Sequence, residues 1–144
     1  MHKPRNLDHL LAQVSKLHNS RGLRAFAETG LHSGQFPLLL LLVETDGRTH
    51  SDLAAQLHVS PPTVSKTVQR LEANGYVQRM PDPDDERVSR VFITDAGRAV
   101  QRHTQGILDG LQADVEAVLT QSEQEELYRI LLKLREHFVT QSQE

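Results

Sequence analysis

Residues 49–71 read THSDLAAQLHVSPPTVSKTVQRL, a pattern that predicts two short helices joined by a tight turn. Thr49 followed by Asp52 has the spacing of a capping box, which starts the first helix. Ser60 is a good N-cap for the second helix, and the prolines after it are tolerated in a first turn, where a missing N–H has no helical partner. Two helices joined by so short a turn predict a helix-turn-helix.

The second helix, predicted from Pro61 to Asn74, has two faces of different chemistry. Val64, Val68 and Leu71 recur at i, i+4 and i+7, which is an apolar stripe that packs inward. On an arbitrary helix the opposite, polar face would simply be solvated. In a helix-turn-helix, hydroxyl, amide and cationic side chains on that face can enter a major groove. The outward residues are Pro62, Thr63, Lys66, Gln69 and Arg70.

A projecting hairpin is predicted directly after this helix. Gly75 closes the helix, and segments 76–80 and 87–93 have the composition of strands on either side of an acidic turn. The connection is too long for a tight hairpin, so it should project from the body, with Arg87 near its tip and Arg90 on the returning strand. A helix-turn-helix followed by such a hairpin is a winged helix.

Several motifs resemble the MarR family of transcriptional regulators. They are LA at 53–54 with VSPPTVS at 59–65, LEANGYV at 71–77, DPDDER at 82–87, and ITDAGR at 93–98. The wing signature of that family is an aspartate two residues before an arginine, which here are Asp85 and Arg87. The resemblance is close over the middle third of the chain, whereas the flanks agree in length and helical character.

The resemblance implies a mainly α fold with a small β-hairpin wing, arranged as one domain over residues 1–144. A winged helix-turn-helix at 33–98 would be flanked by dimerisation helices at 1–32 and 99–144. In this arrangement the N- and C-terminal helices of two subunits interlock across a two-fold axis, so the expected assembly is a homodimer.

The N-terminal part predicts two helices. Asn6 can cap a first helix that reaches Thr29, and its apolar positions are Leu7, Leu10, Leu11, Val14 and Leu17. Such a stripe favours a partner subunit, although packing against the C-terminal helices of the same chain fits these residues equally well. A second helix is predicted to start at Ser33, with Pro37 in its first turn. Its residues 38–43 are apolar all round, which predicts burial.

Two more helices are predicted after the wing. Thr94 caps a long helix to about Leu119, in which the interior glycines 97, 106 and 110 are each unfavourable by up to ~1 kcal/mol relative to alanine. The apolar face of this helix comprises Val100, Ile107, Leu111, Val115 and Val118. A capping box at Ser122–Glu125 opens the last helix. The apolar residues of that helix are Leu127, Ile130, Leu131, Leu134 and Phe138.

Composition excludes several classes of function. The chain of 144 residues has no cysteine, which rules out disulfides, thiolate metal sites and cysteine-based oxidant sensing within it. No apolar run approaches ~20 residues, so we expect a cytoplasmic protein without a membrane span.

The net charge of −3 divides into +2 for residues 1–48, −1 for 49–98 and −4 for 99–144. The electrostatic potential at a DNA groove depends on how the charges of the protein are arranged. The negative net charge therefore does not argue against DNA binding.

Catalytic and metal sites have little support. The eight histidines show no HxxxH or HExxH pair on one helix face, so we expect no metal ion and no cofactor. The chain has no glycine-rich phosphate loop and no nucleophile elbow, and adjacent carboxylates in a turn are normally solvated, so an enzyme is not expected. Two other functions stay open, namely a winged helix that binds only protein and a metal-responsive regulator without an organic ligand.

The sequence therefore predicts a dimeric DNA-binding transcriptional regulator on a pseudo-palindromic double-stranded operator, a repressor that a small-molecule effector releases. The predicted DNA-binding residues are Ser60, Pro62, Thr63, Ser65, Lys66, Gln69, Arg70, Asp85, Arg87 and Arg90. By resemblance, a small aromatic or anionic effector would bind between the dimer helices and the reading head. The candidates there are Arg21, Arg24 and His32, for which ordinary surface charge is the simpler interpretation.

Overall fold

The computed structural model describes residues 6–32 and 34–142. Within them lie six helices and three short strands, which confirms a mainly α fold with a small sheet. The elements are α1 (Leu7–Thr29), α2 (Gln35–Glu44), β1 (Arg48–Thr49), α3 (His50–Leu57), α4 (Pro61–Ala73), β2 (Val77–Pro81), β3 (Ser89–Ile93), α5 (Asp95–Ala117) and α6 (Gln121–Gln141). The chain divides into two compact units, residues 1–108 and 109–144.

Helix α2 is the centre of the core of the first unit. Leu38, Leu39 and Leu42 are fully buried, and the helix packs against α3 and β3. The prediction that this helix is apolar on all sides and wholly buried is wrong at Val43, which is 40% exposed. The reason is that the packed elements cover only part of the circumference of α2. Ser33, the predicted start of this helix, lies outside the described residues, and Gly34 occupies the N-cap position.

The helix-turn-helix forms as the local signals predict. The hydroxyl of Thr49 accepts a hydrogen bond from the backbone N–H of Asp52, and that of Ser60 accepts one from Thr63. Helix α3 ends at Leu57, and its C-cap His58 adopts the left-handed conformation with φ 54°. The inward stripe of α4 is confirmed, because Val64, Val68 and Leu71 are all buried.

The three strands form one antiparallel sheet in the order β1-β3-β2. Strand β3 pairs Ile93 with Val77 of β2 and Arg90 with Thr49 of β1. The hairpin was predicted from composition, whereas β1 was not, because two residues carry no readable periodicity. The extra strand joins the wing to the start of α3.

Helix α1 has its predicted bounds but not its predicted cap. Asn6 has a φ of 64° and makes no side-chain cap hydrogen bond, so that part of the prediction is wrong. Toward its C-terminal end α1 is anchored by buried Ala25 and by Phe26, whose ring centre lies 6.0 Å from that of Phe36. The N-terminal apolar residues Leu7, Leu10, Val14 and Leu17 are all more than half exposed.

Helix α5 begins as predicted, since the Thr94 hydroxyl accepts a hydrogen bond from the backbone N–H of Gly97. Of the predicted apolar face, Val100 packs partly buried against the core, whereas Val115 is 38% exposed and the buried residues of α5 are Gly97, Gln101 and Thr104. Thr104 can be buried because it donates its hydroxyl to the carbonyl oxygen of Val100, and Gly97 lies directly against the backbone of Tyr76. Directly after the end of the helix, Val118 is 79% exposed.

In the second unit, helix α6 starts earlier than predicted. Thr120 and Glu123 form the capping box, and not Ser122 and Glu125, although both pairs have the required spacing. The amide of Gln124 donates to the carbonyl oxygens of Glu116 and Leu119, which keeps the connection short and favours the earlier start. Helix α6 has no buried residue. Its predicted apolar positions include Leu127, Ile130, Leu131 and Phe138, which are 38–52% exposed.

Candidate nucleic-acid interface

The outward face of α4 is exposed and polar. Because Val64, Val68 and Leu71 point into the core, the positions between them project to solvent. Every residue predicted there is exposed, namely Pro62, Thr63, Ser65, Lys66, Gln69 and Arg70. The face therefore offers hydroxyl groups, an amide and two cations on one rigid helix, the donor set that base edges and phosphates accept.

At the start of α4 two hydroxyl groups are already engaged. Ser60 and Thr63 share a hydrogen bond of 2.8 Å between their side-chain oxygens, and Ser60 also caps the helix. Thr67 donates its hydroxyl to the carbonyl oxygen of Thr63. Ser60 and Thr63 therefore stabilise the N-terminus of the helix, and a hydroxyl oxygen of this pair still has room for one further partner.

The wing tip carries an arginine held by an aspartate. Arg87 donates from its backbone N–H and from Nε to Oδ1 of Asp85, both at 3.1 Å, and from Nη2 to Oδ2 at 3.3 Å. The hydrogen bonds from Arg87 hold the pKa of Asp85 below its ordinary value. The Arg87 side chain is still 90% exposed. The tip thus presents a guanidinium in one orientation to solvent.

Arg90 is engaged differently, and its main partner was missed by sequence reasoning. Its Nε donates to Oδ2 of Asp82, and its Nη1 donates to the carbonyl oxygen of Gly47 at 2.8 Å. Oδ1 of Asp82 accepts from the backbone N–H groups of Asp84 and Asp85. An aspartate before proline in a turn is a known signal for such local bonds, and it could have identified Asp82.

A further ion pair, between Arg79 and Glu72, joins α4 to the wing. Arg79 on β2 donates from Nη2 to Oε1 of Glu72 at 2.8 Å, and its backbone N–H donates to Oε2. The side-chain hydrogen bond from Arg79 lowers the pKa of Glu72. The charge of Arg79 is therefore compensated, and this arginine does not add to the free positive charge around the acidic turn.

Between α3, α4 and the wing runs an open groove of about 360 Å³. The residues that line it are Thr49, His50, Ser51, Ser65, Arg87, Val88 and Ser89. None of these seven is acidic, and two of them, Thr49 and His50, are the N-cap and the first residue of α3. The groove thus offers hydroxyl groups, one guanidinium and the positive end of a helix dipole to an anionic group.

Comparison with known proteins identifies the family. The MarR family model matches residues 31–89, which run from the connection between α1 and α2 to the first residue of β3. A Mycobacterium tuberculosis protein named as the HTH-type transcriptional repressor Rv2887 is 28% identical over 128 residues, which is 89% of this chain and 92% of that protein. The chain belongs to the MarR family. Members of this family are transcriptional regulators and not enzymes.

Further relatives are also named as transcriptional regulators. An uncharacterized HTH-type transcriptional regulator of Bacillus subtilis, YdgJ, is 32% identical over 62% of this chain. The chain spans about half the length of the first curated relatives it matches, 54% for YdgJ. A solved structure of a probable transcriptional regulator from Pseudomonas aeruginosa is 30% identical, with a TM-score of 0.70 over 89% of this chain and 98% of that one.

One solved neighbour contains DNA. It is a mutant of MepR from S. aureus bound to an oligodeoxyribonucleotide, 22% identical to this chain, with a TM-score of 0.65 over 91% of this chain and 96% of that one. At this identity the likeness shows a common fold. Oligonucleotide binding is thus a property of that MepR mutant.

The residues predicted to bind an effector lie on α1 and after it. Arg21 is half-buried, and Arg24 and His32 are exposed. The backbone N–H of His32 donates to the side-chain oxygen of Gln35. Among residues 6–32 and 34–142, no group of three or more His, Asp or Glu residues is placed to hold a metal ion. In the same ranges no helix combines the length and apolar composition of a membrane span.

Proposed function

We propose that this MarR-family chain is a DNA-binding transcriptional regulator that acts as a homodimer on a pseudo-palindromic operator. The observation that carries the proposal is the pairing of two exposed surfaces on one rigid scaffold. The outward face of α4 presents Lys66, Gln69 and Arg70, and the wing presents an oriented Arg87 beside it. One surface suits a major groove and the other suits the adjacent minor groove.

The roles follow from side-chain chemistry. Lys66 and Arg70 can donate to guanine or phosphate, and Gln69 can make paired hydrogen bonds to adenine. The first turn of α4 lies against the duplex. The residues that contact the duplex there are Pro62, Thr63 and Ser65, together with the N-cap Ser60. The phosphate backbone between the two DNA grooves would then run along the protein groove that contains His50 and Ser89.

The dimer is proposed from the apolar residues that the chain leaves exposed. On α1, Leu7 and Leu17 are each 67% exposed, and on α6 Phe138 is 52% exposed. Apolar stripes of this length on soluble helices normally meet a partner. A two-fold dimer would place two α4 helices on half-sites whose centres lie about one helical turn (~10 bp) or a multiple of it apart.

The proposal extends to repression and to release by a ligand. The mycobacterial relative is named a repressor, which favours repression for this chain as well. A small aromatic or anionic effector would bind near Arg21, Arg24 and His32, and its binding would shift the population toward dimers that no longer fit both half-sites. Such a regulator works on the chromosome, so we place it in the cytoplasm.

The first experiment is an electrophoretic shift of the full chain on the DNA upstream of its own gene. Specific binding whose affinity falls steeply with salt is expected for a regulator of this kind. A winged helix that binds only protein would show no salt-dependent shift there or in a selection from random duplexes, and that result would contradict the proposal.

Alanine variants of the recognition helix then test its role. Lys66→Ala and Gln69→Ala should each weaken operator binding by roughly 1–3 kcal/mol and relax preference at one base pair. Lys133→Ala on α6 is the matched control for the loss of a lysine charge and should bind like the parent. Equal weakening on every sequence would mean that the residue meets phosphate instead of a base.

A further inference from the structure

We propose that Arg90 is a positioning residue of the wing and does not itself bind DNA. Its guanidinium ties Asp82, at the end of β2, to the turn before β1, and thereby sets the direction in which the wing presents Arg87. The hydrogen bonds from Arg90 to Asp82 and to Gly47 form what we call the tie. The effect of the tie on DNA affinity rests on the proposed function, whereas the tie itself rests on the geometry of the free protein.

The tie is centred on the middle strand of the sheet. Arg90 lies on β3, opposite Thr49 of β1 and Met80 of β2. Its side chain projects on the same side of the sheet as that of Phe92, because alternate residues share a face. From there the guanidinium reaches Asp82 on one side and the carbonyl oxygen of Gly47 on the other. The side chain of Arg90 thus links the turn after β2 to the turn between α2 and β1.

Asp82 passes this constraint to the wing turn. Its side chain is only 9% exposed, and its Oδ1 accepts from the backbone N–H groups of Asp84 and Asp85. Asp85 in turn holds Arg87 through both carboxylate oxygens. The hydrogen bond from the Asp84 backbone, followed by that from Arg90, keeps the pKa of Asp82 below its ordinary value, so the carboxylate stays charged. The exposed arginine at the tip is therefore oriented through a continuous set of bonds.

The other end of the tie is a rigid turn. Gly47 has a φ of +71°, and a Cβ there would lie 2.8 Å from the ring of Phe92. Oδ1 of Asp46 accepts from the backbone N–H groups of both Gly47 and Ile93. Arg48 donates to the carbonyl oxygen of Leu41 and to Asp52. Because this turn is bonded to α2, α3 and β3, it is a fixed anchor for Arg90.

Direct binding of Arg90 to DNA would break this arrangement. To reach a phosphate, the guanidinium would leave a carboxylate that is nearly buried and has no other side-chain cation bonded to it among the described residues. Removing one partner of such a pair leaves a poorly solvated charge, which is strongly unfavourable. Arg87 reaches solvent without that penalty, since its side chain is 90% exposed and that of Arg90 is 40% exposed. Arg87 and Arg90 therefore have different tasks in the wing.

The test is a double-mutant cycle of Arg87→Ala and Arg90→Met, measured as operator affinity over a range of salt. If Arg90 acts through Arg87, Arg90→Met alone weakens binding by about tenfold. The double variant then binds within about twofold of Arg87→Ala and releases the same number of ions, because Arg90 has no guanidinium left to orient. Additive effects, with the salt slope lowered by about one further ion in the double variant, would show that Arg90 itself meets DNA and would overturn the proposal.

A second variant distinguishes a loss of the positioning role from misfolding of the chain. Asp82→Asn keeps an oxygen for the N–H groups of Asp84 and Asp85 but removes the charge that holds Arg90. It should weaken operator binding, although the loss of a negative charge would by itself favour DNA. Binding as tight as the parent's or tighter, with an unchanged thermal unfolding transition, would contradict the positioning role.

A third measurement needs no DNA and separates this inference from the proposed function. In the free protein, Arg90→Met should speed amide hydrogen exchange at Asp84, Asp85 and Val88, while exchange in α2 stays as in the parent. Unchanged exchange in the wing turn would overturn the inference even if the operator is bound. Faster exchange together with a parent chain that binds no DNA would instead uphold the tie and reject the proposed function.

Discussion

Two side chains at the wing tip show how a carboxylate can favour binding to a polyanion. Asp85 would be repelled by phosphate, yet it accepts three hydrogen bonds from Arg87 and holds that guanidinium outward. An arginine on a loose turn would lose side-chain entropy on entering a minor groove, whereas a held one has already lost part of it. The orienting effect and the repulsion have opposite signs, so experiment can tell which is larger.

We expect Arg87→Ala to weaken operator binding strongly and to lower the salt dependence by about one ion for each guanidinium removed from the DNA. Asp85→Ala should also weaken binding, even though it removes a negative charge. Both affinities are measured by titration at several salt concentrations. Glu86→Ala, which removes a neighbouring exposed charge that is not the carboxylate bonded to Arg87, is the matched control. Tighter binding by Asp85→Ala at every salt concentration would reject the orienting role.

The acidic turn of the wing contains three aspartates, Asp82, Asp84 and Asp85, whose roles cannot be distinguished by residue type alone. Asp82 is nearly buried and Asp85 holds Arg87, although both lie in the same acidic turn. The sequence pattern singled out Asp85 through its spacing to Arg87, and it left Asp82 unassigned because the partner, Arg90, is eight residues away across the hairpin. That partnership depends on the pairing of Pro81 with Ser89.

At the scale of single elements, helix α5 contains glycines of two kinds. A Cβ on Gly97 would lie 2.1 Å from the carbonyl oxygen of Tyr76, so the start of the helix packs directly on the residue that leads into β2. A Cβ on Gly106 would meet no atom within 4 Å. The interior position of each glycine is visible in the sequence, but only the packed structure separates a required glycine from a replaceable one.

We expect Gly97→Ala to lower the free energy of unfolding by about 1–3 kcal/mol or more, because the added methyl group forces the backbone of α5 away from Tyr76. Gly106→Ala is the matched control in the same helix and should raise that free energy by up to about 1 kcal/mol through helix propensity. Urea unfolding of the two variants measures both values. A Gly97→Ala chain as stable as the parent would contradict this packing.

Helix boundaries show which local signals are reliable. The starts of α3 and α4 followed from Thr49 and Ser60, whose hydroxyl groups each accept a hydrogen bond from the backbone N–H three residues later. For α6 two capping boxes with the same spacing competed, and the connection from α5 favoured Thr120. At Asn6 the residue type suits a cap, but the backbone there is left-handed and the side chain makes no cap bond. Capping chemistry thus indicates a boundary only where the backbone can reach the cap geometry.

At the scale of the whole molecule, the exposed apolar residues are the basis for the oligomeric state that we expect in solution. Leu10 on α1 is 57% exposed and Leu131 on α6 is 47% exposed, in elements that belong to different compact units. No described residue of α6 is buried within the chain. Because α6 has 21 residues, an apolar stripe and no buried residue, we propose that a partner subunit stabilises it.

We expect the parent to sediment as a dimer, and Leu10→Asp/Leu131→Asp to sediment as monomer or as unfolded chain, because each change puts a carboxylate into an apolar interface. The double variant Ala12→Asp/Thr140→Asp adds the same charge on the opposite faces of the two helices and should remain dimeric. Sedimentation velocity with circular dichroism reports assembly and folding together. A folded dimer that survives the leucine changes would exclude these stripes as the interface.

By itself the sequence determined the helix-turn-helix, the hairpin after it and the family resemblance. These features depend on caps, turns and apolar periodicity within a few neighbouring residues, and such interactions are local. The tertiary structure decided the two-residue strand β1, the buried polar residues of α5 and the roles of Asp82 and Arg90. Arg90 meets Gly47 across 43 positions, and Asp46 meets Ile93 across 47. Bonds of that range exist only once the strands have paired in register, and no local pattern encodes them.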